Sequence, residues 1–138
     1  MPENRIPENR VLIGRSDELA ERGIALTFPV GIEHGQAMAF AVRFDGRVHA
    51  YVNRCAHVPV ELDWQPGRFF DLTRLYLICS THGAVYSPET GVCVDGPCRG
   101  RKLQKLEVFE SAGLVYWRPC GAVHEPPSPP SPPSISKS

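Results

Sequence analysis

The chain has 138 residues, and its 15 lysines and arginines balance 15 aspartates and glutamates. A chain of this length supports one domain with a modest core and is too short for a multidomain enzyme. The balanced charge gives no overall field that favours nucleic acid or an anionic membrane as a partner. Because no run of about 18 apolar residues is present, we expect neither a membrane span nor a membrane anchor.

Both ends of the chain differ in composition from its middle. Residues 1–10 carry charges and prolines where a secretory signal needs an apolar stretch, which predicts a flexible extension and a cytoplasmic protein. Residues 121–138 are rich in proline and serine and cannot pack a core, so a disordered tail is expected there. Residues 11–120 then form the single domain.

Short apolar runs separated by turn residues predict an all-β domain. The first run, residues 11–14, is followed at 16–19 by a turn that opens one helical turn. The second, residues 24–28, is predicted to end at Pro29, because proline cannot donate a sheet hydrogen bond.

Two pairs of apolar runs predict β-hairpins. Residues 37–44 and 47–53 flank Asp45-Gly46, a dipeptide typical of a tight type I′ turn. Residues 106–110 and 114–117 form the second pair and close the domain.

The segment between the first hairpin and residue 78 is rich in turn residues and aromatic side chains. We expect Trp64, Phe69 and Phe70 to pack in the interior, although they could instead form an exposed docking surface. Residues 75–78 are predicted to form a buried strand that leads into Cys79.

Two short motifs carry the chemistry, Cys55-Ala56-His57 and Cys79-Ser80-Thr81-His82. Each motif supplies one thiol and one imidazole. A structural zinc site is one interpretation, but zinc fingers usually place the two Cys in one half and the two His in the other. A mixed pair from each of two loops is the ligand set of a Rieske [2Fe–2S] centre, where two Cys hold one iron and two His the other.

The sequence around these motifs resembles the Rieske family. His82 is followed by Gly83, by an aromatic residue at Tyr86, and by the pair Gly96-Pro97. The resemblance covers roughly residues 11–118. It implies an antiparallel β-sandwich with a small cluster-binding subdomain at about 54–98, and a [2Fe–2S] cluster held by Cys55, His57, Cys79 and His82.

The resemblance also implies which residues surround the cluster. High-potential members have a serine two residues and a tyrosine four residues after the second His, and both hydrogen-bond to sulfur; here these positions are Ala84 and Tyr86. The missing hydroxyl at Ala84 predicts a lower potential. Val60 and Thr81 occupy the places of a disulfide found in the high-potential proteins, which also indicates the low-potential, ferredoxin-like branch. The other expected neighbours of the cluster are Leu62, Gly83, Gly96 and Pro97.

The remaining cysteines and histidines lie outside the two ligand motifs. Cys93 and Cys98 flank Gly96-Pro97 and could be spare thiols, buried packing residues or a disulfide; because a cytoplasm is reducing, we expect them to be reduced and buried. Cys120 brings the total to five, so at least one cysteine has no disulfide partner within the chain. The histidines lack a cysteine at ligand spacing and are expected to be ordinary surface or turn residues; they are His34, His49 and His124.

No catalytic motif accompanies the four ligands, so we expect an electron carrier rather than an enzyme. It would pass one electron from a reductase to a terminal oxygenase or a similar acceptor, through transient docking near His57 and His82. The sequence leaves two alternatives open: a fixed Rieske subunit of a larger oxidoreductase, and a zinc-stabilised interaction module that binds through its proline-rich tail.

Overall fold

The structure is a computed structural model that describes residues 10–32, 35–55, 60–63, 65, 67–79, 83–96, 99–119 and 123. Within these residues the regular structure is β-strand, apart from one turn of 3₁₀ helix at Ser16–Glu18. The all-β prediction is therefore confirmed. The strands are β1 (Val11–Arg15), β2 (Leu26–Ile32), β3 (Gly35–Phe44), β4 (Arg47–Val52), β5 (Leu77–Ile78), β6 (Val85–Tyr86), β7 (Cys93–Asp95), β8 (Lys105–Ser111) and β9 (Leu114–Arg118).

The strands form two antiparallel sheets. The larger has the order β1-β9-β8-β4-β3-β2, and the smaller has the order β5-β6-β7. The two edge strands of the larger sheet approach each other, since a Cβ at Gly14 in β1 would lie 3.0 Å from Leu26 Cδ1 in β2. The sheet therefore curls into two layers around a core, as expected for a sandwich.

Both predicted hairpins are confirmed. In the first, Asp45 (φ 54°) and Gly46 (φ 79°) have the positive φ angles that a type I′ turn requires. In the second, Ala112 (φ 52°) and Gly113 (φ 79°) have a similar conformation. The turns fix the register, with Phe44 opposite Arg47 and Ser111 opposite Leu114.

Strand β3 is buried on both faces. Ala39 and Ala41 face a core inside the curled sheet, together with Trp117. Phe40 and Val42 face a second core, between the large sheet and the small one. This double burial explains why the run of apolar residues in β3 is continuous rather than alternating.

The predicted end of the second strand was wrong. Strand β2 continues through Pro29 to Ile32, with Pro29 opposite Met38. Because β2 is an edge strand, one side of its backbone has no sheet partner, and a proline can be accommodated there. Phe28 and Val30 still point inward, as the alternating pattern requires.

The predicted strand at 75–78 is only partly present. Leu75 and Tyr76 are 46% and 40% exposed, and β5 begins at Leu77. The reason is a turn at this point, in which the Asp71 N–H donates to the Tyr76 carbonyl oxygen at 2.9 Å. The expected packing of Phe69 and Phe70 is confirmed, because both are buried; Trp64 lies outside the described residues.

Val123 extends the packed part of the chain beyond the predicted boundary at residue 120. It lies in the range assigned to the disordered tail, yet only 2% of it is exposed and it joins the core with Trp117. In the part of the chain that the structure describes, no helix is long and apolar enough to cross a membrane.

Candidate metal centre

The two predicted ligand loops are closed in the same way. The Cys55 N–H donates to the Val60 carbonyl oxygen, and the Cys79 N–H donates to the Ala84 carbonyl oxygen, both at 2.8 Å. Each cysteine follows a strand directly or after two residues, and each bond spans five residues. Each loop therefore starts at its cysteine and returns to that cysteine's own backbone.

Both cysteine side chains lie in the core between the two sheets. Cys79 is fully buried and Cys55 is 5% exposed, and they share this core with Leu62, Ala84 and Tyr86. The Tyr86 hydroxyl is 3.2 Å from Cys55 Sγ. Tyr86 belongs to the strand that follows the Cys79 loop, so this hydrogen bond joins the two ligand loops.

The Asn53 side chain makes two hydrogen bonds to residues that follow the first loop. It was not among the site residues predicted from the sequence. Its Oδ1 accepts the Leu62 N–H at 2.7 Å, and its Nδ2 donates to Asp63 Oδ1 at 3.0 Å. Asn53 is the one polar or charged residue that is buried among the described residues. The sequence signal that could have found it is a polar residue between an apolar strand and a cysteine predicted to be a ligand.

Gly96, directly after β7, allows the chain there to approach the second predicted ligand loop. It has φ +102°, and a Cβ there would lie 2.8 Å from the Ala84 Cα. Since the obstacle is backbone, a larger residue would push the two segments apart. Gly83, inside the second loop, has φ +72° and donates its N–H to the Cys79 carbonyl oxygen at 2.9 Å.

Tyr51 connects the large sheet to the hairpin of the second loop, and it too was missed. Its hydroxyl donates to the Pro88 carbonyl oxygen at 2.7 Å, and its ring lies against Gly91, where a Cβ would be 2.7 Å from Cε1. Burial raises the pKa of this tyrosine well above its usual value, so the hydroxyl remains a donor at any physiological pH.

The predicted site residues are thus brought together as far as they are described. Cys55, Cys79, Leu62, Ala84 and Tyr86 are buried in one core, while Gly83 and Gly96 lie at loop turns. The remaining three, His57, His82 and Pro97, lie outside the described residues. The described residues alone contain no group of three or more metal-ligating side chains.

The described donors fit a [2Fe–2S] cluster. Two buried thiols on adjacent loops provide the soft sulfur ligands that one iron of a Rieske centre needs. A hydroxyl within hydrogen-bond distance of one sulfur is the kind of outer contact that supports such a ligand.

Cys93 and His49 complete the account of the other candidates. The Cys93 thiol is buried, as expected, and donates to the Asp95 carbonyl oxygen at 3.1 Å. His49 is not a turn residue: it lies in β4, where partial burial and the nearby charge of Lys105 lower its pKa. Outside the described residues lie Cys98, Cys120, His34 and His124.

Comparisons with known proteins agree with this geometry. The family model described as "Rieske [2Fe-2S] domain" matches residues 9–112. No curated protein sequence matches the chain significantly.

Three solved structures illustrate the similarity. The terminal oxygenase of carbazole 1,9a-dioxygenase from Novosphingobium sp. KA1 is 25% identical, with a TM-score of 0.64, over 92% of this chain and 34% of that one. The ferredoxin of carbazole 1,9a-dioxygenase from Nocardioides aromaticivorans IC177 is 21% identical, with a TM-score of 0.64, over 82% of this chain and 100% of that one. A fluorene-bound oxygenase and ferredoxin complex of carbazole 1,9a-dioxygenase gives 24% identity and a TM-score of 0.66, over 92% and 33%. The chain therefore spans about a third of the length of the oxygenase chains.

Proposed function

The chain belongs to the Rieske [2Fe–2S] domain family, and from this premise we propose that it carries single electrons from a reductase to an oxygenase or a similar acceptor. The observation that supports this most directly is the pair of buried thiols, Cys55 and Cys79, on two loops of the same construction. Elsewhere in the described residues, no group of three or more His, Cys, Asp and Glu side chains could hold a metal ion.

We propose that Cys55 and Cys79 hold one iron and that His57 and His82 hold the other. When bound, a cluster with these ligands supplies a one-electron redox site whose potential is higher than that of an all-thiolate cluster. The protein contributes a dry environment, because Cys79, Leu62 and Ala84 are fully buried.

Tyr86 and Ala84 act on the sulfur ligands in different ways. With Cys55 bound to iron as a thiolate, the Tyr86 hydroxyl 3.2 Å away would be the donor of their hydrogen bond and would stabilise negative charge on the sulfur. Ala84 has no hydroxyl to make a second bond of this kind, which supports a place in the low-potential branch. It contributes its carbonyl oxygen to the Cys79 N–H instead.

A terminal oxygenase is the acceptor that we favour. A complex between an oxygenase and a ferredoxin is among the similar structures, and the chain matches the whole length of a ferredoxin. We also propose that the carrier acts in the cytoplasm.

A reductive titration followed by EPR tests this function. Anaerobically purified protein should contain iron and sulfide, and on reduction it should give the rhombic signal of a mixed-ligand [2Fe–2S] centre. We expect a midpoint near or below about −150 mV. A midpoint far above zero would contradict the low-potential assignment. Zinc in place of iron and sulfide would contradict electron transfer altogether and leave a structural module.

A fixed subunit of a larger oxidoreductase is the second candidate. It is favoured by the match to about a third of each oxygenase chain, where the Rieske fold is one part of a larger protein. Purification from the native cells distinguishes the two: a carrier elutes at about the mass of its own chain, whereas a subunit elutes with a large partner in fixed stoichiometry.

A further inference from the structure

The large sheet opens between strands β4 and β8. These two strands pair at Ala50–Leu106 and Tyr51–Lys105 alone, although β4 begins earlier and β8 continues further. Over the unpaired residues, β4 stays paired with β3, and β8 stays paired with β9. The start of β4 and the end of β8 therefore diverge, and a groove of about 840 Å³ lies between them. A groove of this size is typical of a ligand-binding cleft.

The floor of the groove is apolar and contains unpaired backbone groups. Val48, Leu106 and Val108 line the groove, and their side chains pack in the core inside the curled sheet. The Val52 N–H donates to the Gln104 carbonyl oxygen at 2.9 Å. Because such bonds recur at every second residue, the N–H and C=O of Val48 point toward β8, and those of Val108 point toward β4. The pairing ends before it reaches them, so these groups face the groove without a strand partner.

Two buried side-chain nitrogens beside the groove also have no partner. Of the buried side-chain nitrogens and oxygens that the structure describes, His49 Nε2 and Arg118 Nε are the two without a hydrogen bond. Both residues line the groove. A buried polar group without a partner is costly to the folded state. An acceptor held in the groove is a partner that a small rotation of either side chain brings within reach.

The side chains that line the groove carry a net positive charge. Arg47 is exposed and forms no ion pair in the described part of the chain. Lys105 Nζ donates to a neutral group, the carbonyl oxygen of Glu89, at 3.0 Å. Arg118 and Glu107 neutralise each other in an ion pair at 2.5 Å. The charges of Arg47 and Lys105 therefore remain.

Nearby carboxylates outside the groove do not cancel this charge. Burial lowers the pKa of His49 most, and the positive charge of Lys105 lowers it next. Glu89 raises this pKa by less than Lys105 lowers it, and Asp45 raises it by less than Arg47 lowers it. The electric field of these four charges at His49 is therefore that of a positive site.

We propose that the groove between β4 and β8 binds a small organic carboxylate with an apolar body. The Arg47 guanidinium offers the planar set of N–H donors that suits a carboxylate, and Lys105 adds a second positive charge. The apolar body lies over Val48, Val108 and Phe109, which line the same groove. The groove is at the start of β4, whereas the first predicted ligand loop follows its end. The proposal goes beyond electron transfer and does not rest on it.

Titration of the isotopically labelled holoprotein with benzoate tests the proposal. Heteronuclear NMR should show saturable shifts of the backbone amide signals of Val48 and Val108. Benzyl alcohol has the ring without the carboxylate, and acetate has the carboxylate without the ring. Each should bind about tenfold more weakly than benzoate, because each lacks one half of the interaction.

Three variants, one of them a control, locate the site. Arg47→Gln should weaken benzoate binding about tenfold, and Lys105→Gln should weaken it several-fold, because each removes a charge from the groove. The control is Arg74→Gln, which removes an exposed arginine from the turn before β5. It should change the affinity by less than about twofold. Far-ultraviolet circular dichroism of each variant should match that of the wild type.

Each outcome decides for or against the groove. Saturable shifts at Val48 and Val108 that weaken in Arg47→Gln and persist in Arg74→Gln support the proposal. Absence of these shifts at millimolar benzoate overturns it. So does equal affinity in Arg47→Gln and Arg74→Gln, or equal affinity for benzyl alcohol and benzoate. The EPR titration is independent of these results, so the proposed function and the carboxylate site can fail separately.

Discussion

The hydroxyl of Tyr86 lies within hydrogen-bond distance of the sulfur of Cys55, a proposed ligand. Tyr86→Phe removes the hydroxyl 3.2 Å from Cys55 Sγ, which is the donor when Cys55 is a thiolate. Negative charge on sulfur increases on reduction, so losing the donor destabilises the reduced form and lowers the potential. A bond on the order of 1 kcal/mol corresponds to about 40 mV for one electron. EPR-monitored titration measures the shift, and Tyr116→Phe, on β9, is the control.

Asn53 is placed to fix the path of the first ligand loop. In Asn53→Ala the buried Leu62 N–H loses its acceptor, which should lower the free energy of unfolding by about 1–3 kcal/mol. We also expect faster loss of visible absorbance when a chelator is added. Asp63→Asn keeps an oxygen for Asn53 to contact and should cost less. Equal chelation rates in wild type and Asn53→Ala would contradict the assigned role.

At the scale of single elements, Gly96 tests whether the loops must pack closely. Gly96→Ala adds a Cβ 2.8 Å from the Ala84 Cα and also forces a positive φ on alanine. Gly113→Ala forces a positive φ of +79° in the second hairpin, where a Cβ meets nothing within 4 Å. The control should cost about 1–2 kcal/mol. Gly96→Ala should cost more and lower the iron content of the purified protein. Equal losses of stability would mean that the close approach is unimportant.

The sequence predicted the elements whose cause is local. Asp45-Gly46 encodes its own turn, so the first hairpin was placed correctly. Pro29 was misread because its tolerance depends on lying in an edge strand, and strand order is not a local property. The exposed Leu75 and Tyr76 were misread as part of a buried strand because an apolar run has the same composition whether it is buried or exposed.

The site shows the same division. Residue types and spacing led to the proposal of Cys55 and Cys79 as ligands, because ligand chemistry depends on the side chains themselves. The support from Asn53 and Tyr51 depends on contacts across the fold, to Leu62 and to the Pro88 carbonyl oxygen. No spacing rule in the sequence brings those groups together.

At the scale of the whole molecule, Arg43 ties the layers of the curled sheet together. Its guanidinium donates to both Glu110 carboxylate oxygens, at 2.6 Å and 3.2 Å, and to the Leu19 and Ser16 carbonyl oxygens. It therefore joins β3, the 3₁₀ turn after β1, and β8 near its end. The pair is partly buried, with side-chain exposures of 17% for Arg43 and 32% for Glu110.

This pair predicts a loss of stability in acid. The hydrogen bond from Arg43 holds the pKa of Glu110 below its usual value. A carboxyl group with a lowered folded-state pKa adds stability above its unfolded pKa of about 4.3, and the stability is lost as the pH falls through the folded pKa. Denaturant unfolding of the holoprotein at pH 7 and pH 4 measures it. Relative to wild type, Glu110→Gln should be about 1 kcal/mol less stable at pH 7, with a smaller difference at pH 4.

A matched variant separates this effect from ordinary surface charge. Glu107→Gln, also in β8, removes a more exposed partner of Arg118 and should change stability by less than about 0.5 kcal/mol. If Glu110→Gln and Glu107→Gln have the same pH dependence, the link from Arg43 does not hold the layers together. The alternative outcome is that only Glu110→Gln shows a smaller difference in unfolding free energy from wild type at pH 4 than at pH 7. The stability of the large sheet, whose strand β4 leads to Cys55, would then depend on the charge of Glu110 near the end of β8. The strands are linked because β4 pairs with both β3 and β8.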